Sequence, residues 1–329
     1  MSHIHITMVS FFRERSAAAV FWLIIICFGL HVYSLVHSPQ VVTAATDGFF
    51  YYLLNPLKNA DPFAVSLLYV SAIFLLSLQL NFILNNLRML NKPSYTPALC
   101  FILFSALLPA FNVVNAALLS CFLVIWILYS ACKLYAARNA KTSIYNFGLL
   151  TGLCIILYYP SAPLIIIAML ALAIIRPFNI NEWFVLFFGI ITPVYFLTAY
   201  LFLTDQLYLL PSPQELFGIF KLPVMPLMTI TLIVALVIAA WGILAVQNSG
   251  ANVLIQVRKS WSVFLVAFLF TIPVIFFVKD AFPAVFLVVA VPTASYAGFA
   301  FAGNRNIIPV IFFWVLIALS VYNNWFVKY

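Results

Sequence analysis

Apolar residues run along this chain for about 20 positions at a time, with short polar interruptions between runs. The stretch 62–87 is typical and carries no charged side chain. Crossing a hydrocarbon layer of ~30 Å takes about 20 residues as a helix. In lipid, every backbone donor also needs a partner within the segment. The class that follows is all-α, a polytopic integral membrane helical bundle, since a transmembrane β-barrel would alternate apolar and polar residues and these runs are apolar all round. Only 7% of the 329 residues are charged and 66% are hydrophobic. A soluble domain carries roughly 25% charged residues, so that class is excluded.

The runs predict about eleven spans, at 17–37, 62–87, 95–111, 114–135, 144–159, 162–176, 183–203, 227–247, 261–278, 283–302 and 307–324. The first reads as a retained span rather than a cleaved leader, because it is long and no small-residue cleavage site follows. With the N-terminus in the cytoplasm, eleven of the fifteen cations, Arg15, Arg88, Arg176 and Lys259 among them, fall inside. Lys58, Lys221, Lys279 and Lys328 fall outside, the asymmetry that positive-inside insertion produces. The acids distribute the other way: Asp47, Asp61, Asp205, Glu215 and Asp280 are outside, and Glu14 and Glu182 inside. The predicted location is the bacterial inner (cytoplasmic) membrane, and 1–329 reads as one integral membrane domain.

The net charge of +8 is scattered in ones, twos and threes and forms no basic stripe, which excludes nucleic acid as a partner. All five cysteines lie within apolar runs, so neither disulfides nor a metal site is expected. No glycine loop for phosphate and no Ser/His/Asp spacing is present. Away from their ends, where Lys133 and Arg176 sit, the apolar runs contain none of the buried Asp, Glu, Lys or Arg that ion relays need, which argues against ion-coupled transport.

Chemistry, if any, is expected on the outer side. In 46–62, TDGFFYYLLNPLKNADP, a helix begun at Asp47 would place Phe49, Phe50, Leu53, Leu54 and Leu57 on one face. Asp47, Tyr51, Asn55 and Lys58 would fall on the other, so the helix would lie in the membrane interface. Asp47 is then a candidate general base, or alternatively the helix cap, and Lys58 a candidate phosphate contact or a headgroup anchor. Asp61-Pro62 reads as an N-cap followed by proline in the first turn. Ser212-Pro213-Gln214-Glu215 reads as a capping box opening a second interfacial helix that ends near Lys221. In the same outer loop, Asp205 is a candidate ligand or an ordinary solvated acid. His31 and His37, six residues apart, project about 120° from one another and do not form a ligand pair. Gly148 and Gly152 give a small-xxx-small spacing suited to close helix contact.

The order of the first span, the outer loop with its acid and aromatic helix, and then NFILNNLRMLNKPSYTPALCFILFSALLPAFN and NFGLLTGLCIILYYPSAPLIIIAMLALAIIRP, resembles the membrane half of the GT-C polyprenol-dependent glycosyltransferases over about 17–203. The full pattern, with its SFFRERS start, also resembles an inner-membrane family of Bacteroidota of unassigned activity. The GT-C resemblance implies a periplasmic sugar transfer from a polyprenyl-phosphate donor, with Asp47 catalytic. It also implies Tyr51, Lys58, Asp205 and Lys221 toward the substrate, and a divalent cation if the protein is active. Two other readings stand beside it: a non-catalytic membrane component binding lipid or a partner membrane protein, and a lipid or small-solute carrier. An enzyme would gather Asp47, Asp205 and a cation around one outward cavity, whereas a scaffold would spend them on helix caps.

Overall fold

A computed structural model of the chain describes residues 8–44, 47–210, 226–249, 253–274, 284–303 and 307–326. Fourteen helices are named here: α1 (Met8–Phe11), α2 (Ala17–Leu30), α3 (Val32–Val36), α4 (Phe50–Leu54), α5 (Pro62–Asn86), α6 (Thr96–Ser105), α7 (Ala116–Lys133), α8 (Ala140–Leu157), α9 (Leu164–Ile175), α10 (Ile180–Leu203), α11 (Pro226–Ser249), α12 (Ile255–Thr271), α13 (Ala284–Gly303) and α14 (Ile308–Trp325). Seven are long and apolar enough to cross a membrane, which makes this a multi-pass helical membrane protein. The tally by length falls short of eleven for local reasons. The first run breaks at His31 into α2 and α3, the third and sixth yield only α6 and α9, of ten and twelve residues, and the ninth yields α12, of seventeen with Arg258 and Lys259 in its first turns.

Helix α6 shows why a run of apolar residues can stop short. Pro109 lacks an N–H and its ring would strike the carbonyl of Ser105, so the helix ends there. The released carbonyls lie inside the protein, where water cannot serve them. Asn324 Nδ2 donates to Ala106 O (2.9 Å), Ser320 Oγ donates to the same oxygen (2.7 Å), and Asn323 Nδ2 donates to Leu107 O (2.9 Å). Tyr69 Oη donates to Phe111 O at 3.0 Å, and Asn115 caps α7 by accepting the Leu118 amide at 2.9 Å. Irregular backbone at membrane depth is tolerated on this condition, that protein groups satisfy it. All ten residues of α6 are buried, against α5, α13 and α14.

The next segment of this break, Val113–Val114, pairs in parallel with Gln40–Val41 from the loop after α3, so the first connection is pinned to the third run. Helices α7 and α13 are largely enclosed, while α10 and α11 turn most of their surface outward. Helix α8 packs on α10 through the small residues the spacing singled out. A Cβ on Gly148 would lie 2.6 Å from Leu186 O, and one on Gly152 would lie 2.3 Å from Ile190 O. Only glycine permits that approach.

At the opposite ends of these helices the cations bind carbonyls and one acid. Arg176 forms a fork on Glu182, Nε to Oε2 at 2.8 Å and Nη2 to Oε1 at 3.0 Å, while Nη1 reaches Leu134 O at 3.1 Å. Lys259 Nζ donates to Ile175 O at 2.9 Å. Both sites tie off helix C-termini, where positive charge is favoured.

Candidate functional site

The candidate in the loop between α3 and α5 is built on a left-handed turn. Gly48 has φ +54°, and a Cβ there would sit 2.2 Å from Ile156 O at the end of α8. Glycine alone allows both the dihedral and the approach. The adjacent amide of Phe49 donates to that same Ile156 oxygen at 3.2 Å, so the turn is seated on the α8 terminus. Asp47, the residue before, is folded inward and is 5 % exposed. Its Oδ2 accepts the Ala44 amide at 2.6 Å and its own amide donates to Ala44 O at 3.0 Å. Burial raises its carboxyl from 3.8 to about 6, against the opposing pull of the Ala44 hydrogen bond and the Lys58 charge.

This placement corrects the amphipathic reading of 46–62. Helix α4 begins at Phe50 rather than Asp47, and a 3₁₀ turn, Asn55–Asn59, follows it. Within α4, Phe50 and Leu54 are buried in the protein, while Leu53 is 59 % exposed. Asp47 neither lies on the polar stripe nor caps α4, whose N-cap is Phe49 without a side-chain bond. Gly48 breaks the helical phase between them, and periodicity cannot register such a break. Tyr51 is exposed, and Lys58 Nζ stands 5.8 Å from the centre of its ring. Asp61 caps α5 as its spacing with Pro62 predicts, accepting the Ala64 amide at 3.3 Å.

Asp205 takes a different structural post. It has φ +55°, and the Gln206 amide returns to Leu201 O at 2.8 Å, which closes the end of α10 as a left-handed cap. Its side chain is exposed, and among the described residues nothing joins it to Asp47 or Lys58. Lys221, Glu215 and the second interfacial helix lie outside the described residues. Of the predicted site, the structure brings Asp47, Tyr51 and Lys58 into one neighbourhood, and Asp205 serves the end of α10.

Two cavities are formed elsewhere. One of about 20 Å³, enough for a water, lies beneath the α8–α9 turn among Tyr158, Ser161, Thr271 and Val288. The other, about 360 Å³, opens at the C-terminal end of α5 between Arg15, Asn81 and Arg88. Asp47 lines neither. Compared with known proteins, the chain matches no family model, no curated protein and no solved structure.

Among the described residues no three His, Cys, Asp or Glu side chains gather as a metal site. His31 is buried at the α2–α3 break. Its Nδ1 lies 2.9 Å from Cys27 O, which can only accept, so Nδ1 carries the proton and Nε2 faces Ser105 Oγ at 3.4 Å. Its ring meets Tyr69 edge-on, with centroids 5.8 Å apart. This is a packed core histidine. The residues that sequence reasoning passed over are Asn323 and Asn324, whose amides serve the α6 break, and the Arg15–Arg88 pair.

Proposed function

We propose that this chain is a non-catalytic component of the bacterial inner membrane that binds lipid, and that Asp47 fixes the first outer loop rather than exchanging a proton with a substrate. The observation that carries this is the closed hydrogen-bonded turn between Asp47 and Ala44, seated by Gly48 on the end of α8. A general base must reach the proton it removes, and this carboxylate reaches its own loop. The shorter apolar helices α2, α6 and α9, together with α12, complete eleven crossings in this reading, with the N-terminus cytoplasmic.

One observation favours the GT-C-like alternative, in which Asp47 takes the acceptor proton during sugar transfer from a polyprenyl phosphate. An acid held near 6 beside a lysine is poised for base work, and Oδ1 has no protein partner among the described residues. Proteoliposomes of the purified protein, supplied with radiolabelled polyprenyl-phosphate sugars and a divalent cation, separate the two. The proposal predicts no release of polyprenyl phosphate above protein-free vesicles. Turnover that disappears in Asp47→Asn would establish the enzyme.

A further inference from the structure

The C-terminal end of α5 holds the larger cavity, about 360 Å³, within the range of roughly 300–1,000 Å³ typical of ligand sites. Helix α5 has 25 residues and so is about 37 Å long, which puts this cavity at the opposite end from Asp61 and the Asp47 loop. Two guanidiniums line it, Arg15 from the segment before α2 and Arg88 from just beyond α5. Neither has a hydrogen-bond or ion-pair partner among the described residues; the one ion pair there is Arg176–Glu182. Two cations sharing a cavity without an acid leave a positive field for an anion to neutralise.

Arg88 occupies its place against local preference. The amides of Arg88 and Met89 return to Asn85 O and Leu84 O, each at 3.0 Å, closing α5 with a left-handed residue at φ +54°. Glycine is the usual occupant of that position, and a side chain there costs about 1 kcal/mol. A long cation at such a site, and lining a cavity, points to a use beyond ending the helix.

The remaining polar lining sorts into used and unused groups. Asn85 is spent: Nδ2 donates to Asn81 O (2.8 Å) and Ser94 O (3.0 Å), and Oδ1 accepts the Ser94 amide (3.1 Å). Asn86 donates to Tyr129 Oη. Asn81 is different. It is 5 % exposed, it lines the cavity, and its Oδ1 has no partner. A buried carbonyl oxygen left unpaired costs about 1–3 kcal/mol, so it marks a place for a donor. On the other wall, Leu78 is half-buried and Phe82 is 56 % exposed, which carries the cavity onto the apolar flank of α5.

From the pairing of Arg15 and Arg88 with the orphaned Asn81 oxygen, we infer that this cavity binds a phosphate ester bearing a neighbouring O–H or N–H donor, as in the headgroup of a glycerophospholipid. The guanidiniums take the phosphate oxygens, Asn81 Oδ1 accepts the headgroup proton, and the acyl chains run along Leu78 and Phe82. A soluble phosphate monoester shares the polar chemistry but leaves the apolar flank uncovered. This site deepens the lipid-binding reading above, and its test is independent of the turnover assay.

The experiment is native mass spectrometry of the full chain in detergent, titrated with dioleoyl phosphatidylglycerol, with glycerol 3-phosphate and with inorganic phosphate. The variants are Arg88→Gly, which suits the left-handed backbone and so keeps the fold, and Arg15→Gln in an exposed segment. Phosphatidylglycerol should bind the wild type in a one-to-one adduct. Each substitution should weaken that adduct about tenfold or more, with melting of the lipid-free protein unchanged or, for Arg88→Gly, raised. Retention of the adduct by the double variant would overturn the site. Equal protection by glycerol 3-phosphate or inorganic phosphate, lost in the same variants, supports the phosphate site and identifies the source as soluble. Binding of phosphatidylglycerol alone identifies it as lipid. Turnover in the separate vesicle assay would sink the non-catalytic reading and leave this site standing.

Discussion

Asp47 Oδ2 accepts the Ala44 amide at 2.6 Å while the Asp47 amide returns to Ala44 O at 3.0 Å, so one acid closes its own loop from both ends. Burial holds the carboxyl at about 6 in the folded chain against 3.8 ordinarily. Between those values the folded state binds more protons than the unfolded one, so stability falls as pH rises from about 4 to about 6. The ionised form above pH 6 therefore costs on the order of 3 kcal/mol relative to the protonated one. Asp47→Asn keeps an acceptor for Ala44 and removes the charge. Thermal melts in detergent should show the variant equal to the wild type near pH 4 and at least as stable at pH 7.5, with this segment of the pH slope gone.

Gly48→Ala should act in the other direction. The new Cβ meets the Ile156 carbonyl at 2.2 Å and the backbone must hold φ +54°. The expected loss is roughly 2 kcal/mol or more, with the 42–60 segment turning protease-sensitive before the helices do. Limited proteolysis followed by mass mapping reads both.

The carbonyls freed at the end of α6 make a third prediction. Asn323→Leu removes the donor to Leu107 O (2.9 Å) and to Thr231 Oγ1 (3.0 Å), and both acceptors are enclosed. A loss of about 1–3 kcal/mol should follow, larger than for Asn324→Ala, because Ser320 Oγ still serves Ala106 O at 2.7 Å. Chemical-denaturation midpoints of the two variants give the order.

Arg176→Lys tests the fork on Glu182. Lysine offers one point charge where arginine supplies bonds at 2.8 and 3.0 Å to Glu182 and a third at 3.1 Å to Leu134 O. The variant should lose about 1–3 kcal/mol despite unchanged charge. Arg176→Ala should lose more, and adding Glu182→Ala should recover part of that loss by removing the stranded acid. A double-mutant cycle on melting temperature measures the coupling.

What the sequence could express was local. Asp61 before Pro62 announced the start of α5, and Gly148 with Gly152 announced a close helix contact on α8, though not that α10 makes it, because capping and small-residue packing depend on neighbours within a turn. Proline at 109 could have shortened the third run, since its clash with Ser105 is fixed by chain geometry. The roles of Asn323 and Asn324 were out of reach, because their partners lie more than 200 residues away in sequence. The burial of Asp47 was hidden for a related reason. Spacing placed it on a polar stripe, whereas the left-handed Gly48 and its seat on Ile156 are tertiary. Arg88 read as one more inner-side cation, since no local pattern reveals a non-glycine residue with positive φ.

Complementation with Asp47→Asn tests the central claim most directly. A strain deleted for this chain is restored with wild-type or Asp47→Asn protein, membrane levels are matched by immunoblot, and the deletion's envelope and growth defects are scored. If Asp47 holds the loop, Asn, which can accept the same Ala44 proton, should restore the strain as fully as the wild type. Asp47→Asn protein that accumulates to wild-type levels yet leaves the deletion phenotype intact would contradict the account.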